Sequence, residues 1–226
     1  MKNLTIKAMR NKPAWFGILA ITATLSCGNA FAAVIYSQTF TGGTGALAGT
    51  TSTTGSGTWT GDNIINRDGA LVGGWGAVSL AFTPSSGLVY ELTATIPSQY
   101  WGSWIGVGFL PDNSLYGWSP SNPVALRTAG WQIWPQAVNA SALTSNDVLI
   151  RLDTTGAQWK TAMYQGGVQI GSTFTYTTNP TITRVGFVSD GSGGQVSAFQ
   201  LTAVPEPTAA LLGTLGMLAL LRRRRA

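Results

Sequence analysis

The side chains that most enzymes use for nucleophilic or acid–base work are scarce in this sequence. It contains no histidine, and its one cysteine is Cys27. A Ser-His-Asp triad and the usual zinc sites are therefore excluded, and if the segment carrying Cys27 is removed, so are a thiol nucleophile and any internal disulfide. Carboxylates are few and scattered. Between Ala33 and Ala203 the acids are Asp62, Asp68, Glu91, Asp112, Asp147, Asp153 and Asp190. Glu91 is the only glutamate among them, and no other acid lies within five residues of it. Aromatic side chains are the abundant resource. Eight of the nine tryptophans fall in the same span: Trp59, Trp75, Trp101, Trp104, Trp118, Trp131, Trp134 and Trp159. Flat rings fill β cores, and they also stack on the apolar faces of sugars while polar neighbours bond the hydroxyls.

Alternation separates some of these aromatics from the core. In Trp104–Leu110, Ile105, Val107 and Phe109 share one face, and Trp104, Gly106 and Gly108 share the other. Two glycines beside a tryptophan form a shelf that a ligand could occupy or a bulky neighbour could fill. In Gly130–Trp134, Trp131 and Ile133 take the apolar face, while Gln132 and Trp134 take the opposite one. The expected sugar-binding surface is therefore Trp104, Trp118, Gln132 and Trp134, with Asp112 and Asn113 as hydrogen-bonding partners. The oxygen-rich pairs Asp62-Asn63 and Asp112-Asn113, and Asp190, are of the type calcium takes. None has a recognisable loop signature, and Asp and Asn in turns ordinarily stabilise the turn. No cofactor is assigned.

The elements that must hold these residues are strands. Leu88, Tyr90, Leu92, Ala94 and Ile96 alternate with Val89, Glu91, Thr93 and Thr95; Val78, Leu80 and Phe82 alternate with Ala77, Ser79 and Ala81; and Val148, Ile150 and Leu152 alternate with Leu149, Arg151 and Asp153. Gly166-Gly167 between Met163 and Val168 reads as a hairpin turn. Pro84-Ser85-Ser86-Gly87, Pro111-Asp112-Asn113-Ser114, Thr154-Thr155-Gly156 and Asp190-Gly191-Ser192-Gly193-Gly194 read as further turns. No stretch has a convincing helical period. The expectation is one all-β sandwich or jelly roll of about ten to twelve strands over residues 33–203. The Gly-, Thr- and Ser-rich segment 41–63 reads as a packed loop or a loose arm, and Trp59 within it argues for packing.

The ends differ from the middle. The chain of 226 residues is only 9% charged, against about a quarter in an ordinary soluble domain. Its net charge of +5 belongs to Lys2, Lys7, Arg10 and Lys12 at the start and Arg222–Arg225 at the end. Between Ala33 and Ala203 acids outnumber bases, so no basic face suggests nucleic acid. Residues 1–32 read as a signal peptide: a basic stretch, an apolar run from Ala14 to Leu25, and Ala30-Phe31-Ala32 as the cleavage pattern. A lipoprotein signal ending at Cys27 and an uncleaved anchor are the alternatives.

The C-terminal segment, residues 204–226, has Val204-Pro205-Glu206-Pro207, an apolar helix over 208–221, and the arginines Arg222, Arg223, Arg224 and Arg225. This order resembles the PEP-CTERM sorting tail of exported bacterial proteins. The resemblance implies processing by an exosortase-type transpeptidase, in a Gram-negative cell that makes extracellular polysaccharide. Fourteen helical residues rise roughly 21 Å, short of a hydrocarbon core of about 30 Å, so lodging in the membrane requires snorkelling flanks or thinning. The arginines would stay cytoplasmic and the domain outside. A plain C-terminal anchor is the alternative.

The middle resembles the concanavalin A-like (laminin-G-like) jelly roll. The residues that carry the resemblance are Tyr36–Phe40, Thr53–Trp59, Trp104–Phe109, Leu152–Gly156 and a final strand over Val196–Thr202. It implies that the first and last strands pair. Glucanases of that fold use an E-x-D-x-x-E carboxylate set, which the lone Glu91 does not supply. The expectation is thus a non-enzymatic surface or extracellular-matrix protein that binds polysaccharide. The alternative is a structural matrix protein with no specific ligand.

Overall fold

The computed structural model describes residues 32–40, 44–61, 65–67, 70–72, 75–96, 105–111, 124–127, 132–134, 138–139, 147–190, 195–205 and 216. Both terminal segments expected to be helical lie outside these residues, apart from the start of the tail and residue 216. Among the described residues no helix is long and apolar enough to cross a membrane.

Two antiparallel sheets form the sandwich. The six-stranded sheet contains β1 (Ala33–Thr39), β7 (Val89–Thr95), β12 (Asp147–Asp153), β13 (Lys160–Gln165), β14 (Val168–Thr175) and β17 (Ala198–Val204). Its order is β1-β17-β7-β12-β13-β14. The seven-stranded sheet contains β3 (Thr60–Gly61), β6 (Trp75–Ala81), β8 (Ile105–Leu110), β9 (Val124–Arg127), β10 (Gln132–Trp134), β11 (Val138–Asn139) and β15 (Arg184–Asp190). Its order is β11-β10-β9-β8-β15-β6-β3. Four short strands, β2 (Gly45–Ala46), β4 (Ile65–Arg67), β5 (Ala70–Val72) and β16 (Gln195–Val196), form a small third sheet. Among the described residues ten of the strands run four residues or more, which matches the expected number; the remainder are pieces of two or three residues.

The alternation faces inward as its period requires. Tyr90, Leu92, Ile150, Leu152, Phe199 and Leu201 of the six-stranded sheet meet Val78, Leu80, Val107, Phe109, Val185 and Phe187 of the seven-stranded sheet in one buried cluster. Aromatic edges join the layers: Phe82 lies edge-on to Tyr90 at 5.1 Å, and Phe187 edge-on to Phe199 at 5.3 Å. The first and last strands pair, with Ala33 opposite Ala203 and Ser37 opposite Gln200. Segment 44–61 is packed. Leu47 and Trp59 are fully buried, and Ser37 and Thr54 bridge it to β1 through reciprocal backbone hydrogen bonds.

Turn chemistry fixes the register. Gly166 and Gly167 both have positive φ, 54° and 81°, as a tight β13–β14 hairpin demands. At the opposite end, the buried Thr154 hydroxyl shares its proton between the carbonyls of Ser85 (2.8 Å) and Leu88 (2.7 Å) and accepts from the Leu88 N–H (3.2 Å). Next to it, Asp153 accepts from the Thr155 N–H (2.9 Å) and hydroxyl (2.6 Å). Burial pushes the Asp153 carboxyl up, but the two Thr155 hydrogen bonds and the charges of Arg151 and Lys160 outweigh it and hold the group below its ordinary 3.8. A carboxylate favoured by the fold stabilises it above the unfolded value, and that contribution fades as pH falls through the folded one. Asp153→Asn should therefore lower the urea midpoint at pH 7, and the gap to wild type should close as the solution is taken below pH 3.8. A gap that stayed constant with pH would show that the charge is not the cause.

Candidate carbohydrate-binding face

The register of the seven-stranded sheet sets which residues share its outer face. Arg184, Gly186 and Val188 of β15 alternate with the core residues Val185 and Phe187, so they face outward. From them two rows run across the sheet. One is Thr60–Ser79–Gly186–Gly108–Ala125–Trp134. The other is Ala77–Val188–Gly106–Arg127–Gln132–Asn139. The two sequence-predicted positions in β10, Gln132 and Trp134, thus occupy the same rows as Gly106 and Gly108, two strands away. Trp104, Trp118, Asp112 and Asn113 lie outside the described residues.

The centre of this face is built from small residues. Gly186 permits a close approach of β15 to β6, because a Cβ there would sit 2.3 Å from the Val78 carbonyl oxygen and 2.6 Å from the Ser79 Cα. Ala77 and Val188 are both 0% exposed, and Gly106 and Gly108 are buried too. The shelf expected around the two glycines is therefore filled at its centre rather than open.

A polar cluster that alternation alone did not single out stands at one end. The half-buried Arg184 donates through Nε to the Ser79 hydroxyl at 2.6 Å and through its terminal nitrogen to the Thr60 hydroxyl. Its described partners are hydroxyls, so its positive charge faces no acid among them. The signal in the sequence was slight: Arg184 is a rare charge beside an alternating Val185–Phe187 pair.

Carboxylates do not converge among the described residues. Glu91 lies in the six-stranded sheet, directly opposite Arg151 and Thr202. Asp190 ends β15 opposite Trp75. No group of three acidic, histidine or cysteine residues that could hold a metal occurs among the described residues. Of the calcium candidates, Asp62-Asn63 and Asp112-Asn113 lie outside them.

These layers, their order and the pairing of the terminal strands define a jelly-roll β-sandwich of the concanavalin A-like kind. Among solved structures, an endo-1,3-β-glucanase from Streptomyces sioyaensis superimposes with a TM-score of 0.52 at 12% identity, over 77% of this chain and 97% of that one. A β-glucanase homologue from Mycobacterium abscessus (TM-score 0.44, 15% identity, 74% and 99% covered) and lectin II from Ulex europaeus (0.37, 10%, 65% and 92%) are more distant. At these identities the likeness is one of fold. No family model matches the chain, and no curated protein does.

Proposed function

We propose that the protein is an exported surface or matrix protein whose sandwich binds polysaccharide without cleaving it. The observation that carries this reading is the register that puts Gln132 and Trp134 in line with the small-residue rows of the seven-stranded sheet. An aromatic residue and an amide are the kinds of group that stack on a sugar ring and bond its hydroxyls. Trp104, Trp118, Asp112 and Asn113 are the further contacts of this proposal. Glycoside hydrolysis needs two carboxylates about the scissile bond, and Glu91 lies opposite Arg151 in the other sheet.

Export and sorting belong to the same proposal. The first residue after the proposed signal cleavage, Ala33, pairs with Ala203, just before Val204-Pro205. Residues 204–226 would then leave from the same end of the six-stranded sheet at which the processed chain begins. Exosortase would act near Glu206 and Pro207, and Arg222–Arg225 would hold the precursor in the inner membrane. Deleting 204–226 should release the protein from its normal location, and unchanged retention would count against sorting.

The test of binding is a glycan array probed with the chain expressed with both its ends, with and without calcium. Wild type is expected to bind, and Trp134→Ala to bind about tenfold more weakly, the loss of one good contact. No reducing ends should be released from bound glucan. The buried centre of the face favours a second reading, a matrix scaffold without a ligand. Absence of binding to every glycan would make that the better account.

A further inference from the structure

The outer face of the six-stranded sheet, on the other side of the sandwich, carries a groove of about 450 Å³. Its spine is the cross-strand row Ser37–Gln200–Thr93–Leu149–Tyr164. The adjoining row, Thr39–Ala198–Thr95–Asp147, forms one wall. Leu149 and Tyr164 are half-buried and place an aliphatic side chain beside a ring on the floor of the groove. Thr93 and Gln200 are exposed. Gln200 gives one amide hydrogen to the Thr202 hydroxyl at 3.0 Å, which leaves its second donor and its carbonyl oxygen for a ligand. Among the described residues the Tyr164 hydroxyl has no hydrogen-bond partner. The Thr95 hydroxyl donates to Asp147 Oδ1 at 2.7 Å and fixes that carboxylate on the wall.

The charge pattern selects the ligand. Farther along the face, Glu91 stands opposite Arg151 and Asp153 opposite Lys160, so those charges cancel across strands. Within the two groove rows Asp147 is the single charged residue. The described lining holds no lysine or arginine to pair with a uronate, sulfate or phosphate, whereas hydroxyls, an amide and a carboxylate all bond sugar hydroxyls. The rows offer hydroxyls, an amide and one carboxylate around an apolar floor. That is an environment for a neutral, many-hydroxyled chain.

We propose that this groove is a second glycan site, for neutral polysaccharide, with Tyr164 and Leu149 as its platform. Combined with the seven-stranded face it makes the protein bivalent, able to bridge two polysaccharide strands. Bridging rests on the reading under Proposed function; binding in the groove does not.

The test uses the chain expressed with both its ends, titrated with soluble β-1,3-glucan and dextran as neutral probes and with polygalacturonate as the acidic one. Turbidity of high-molecular-weight glucan reads bridging. Thr93→Arg, an exposed substitution that projects bulk into the groove, should weaken neutral-glucan binding about tenfold and abolish turbidity, with an unchanged circular-dichroism spectrum. Tyr164→Phe, which keeps the ring, should weaken it by a smaller factor. If Trp134→Ala abolishes binding while Thr93→Arg titrates as wild type, the groove proposal falls and the other face stands. If Thr93→Arg abolishes binding while Trp134→Ala does not, the groove stands and the other face falls. Polygalacturonate bound as tightly as glucan would overturn the charge argument, and no neutral glucan bound by wild type would overturn the groove itself.

Discussion

Trp59→Ala is expected to lower the unfolding free energy by about 3–5 kcal/mol, the usual cost of removing a large buried ring. Trp59 is 0% exposed and lies where both sheets meet. Its ring stacks on Phe187 at 5.7 Å and 22° and meets the edge of Phe199 at 5.4 Å. Phe187 in turn touches Phe40 at 5.8 Å, so one ring joins β15, β17 and the loops before β3. The indole N–H donates to Gln38 Oε1 at 3.3 Å, and the Trp59 backbone bonds Thr50 and Gly49. Alanine removes the stacking and leaves a void that the flanking strands cannot close. With total stabilities of roughly 5–15 kcal/mol, such a loss brings a domain near its threshold. Urea denaturation followed by circular dichroism measures it. Trp59→Phe should lose less, because it keeps most of the contact area. A change under about 1 kcal/mol for the alanine variant, the size of an ordinary surface effect, would mean that the segment is not packed as described.

Gly186→Val should cost about 1–3 kcal/mol or more, for the opposite reason: overfilling. Gly186 sits in β15, between β6 and β8, in the interior of the seven-stranded sheet. Its missing Cβ is replaced by the backbone of β6, with Val78 O, Ser79 Cα and Ser79 Cβ all within 2.8 Å of where the Cβ would stand. Those atoms are main chain or bound directly to it, so no rotamer change relieves the clash. The strands must part and the Ser79–Gly186 register must open. Gly186→Ala should show the same effect in milder form. A melting curve unchanged in both variants would exclude the close approach.

Much of the scaffold was legible in the sequence because period-two burial leaves a mark wherever one face is apolar. β7, β12 and the β13–β14 hairpin are read directly from Tyr90–Ile96, Val148–Leu152 and Gly166-Gly167. The packing of segment 44–61 was less legible: its small polar residues carry no period, and only the aromatic side chain of Trp59 pointed inward. The faces were half legible. Alternation separated Gly106 and Gly108 from Val107, and Gln132 and Trp134 from Ile133. It could not show that β9 lies between them, or that β6 brings Ser79 and Thr60 to Arg184, because strand order is set by long-range packing. The groove row was hidden for the same reason. Ser37 and Gln200 lie near opposite ends of the chain and meet only because the terminal strands pair.

That terminal pairing has a mechanical consequence. The segment beyond Val204 continues from β17, and β17 lies between β1 and β7, not at a rim. Tension applied to the tail along the strand is carried in shear, with the ladders to β1 and β7 strained together rather than peeled rung by rung from a free end. A tether fixed there would transmit load into the middle of the six-stranded sheet. The domain would then yield as a whole before its anchor strand slipped out.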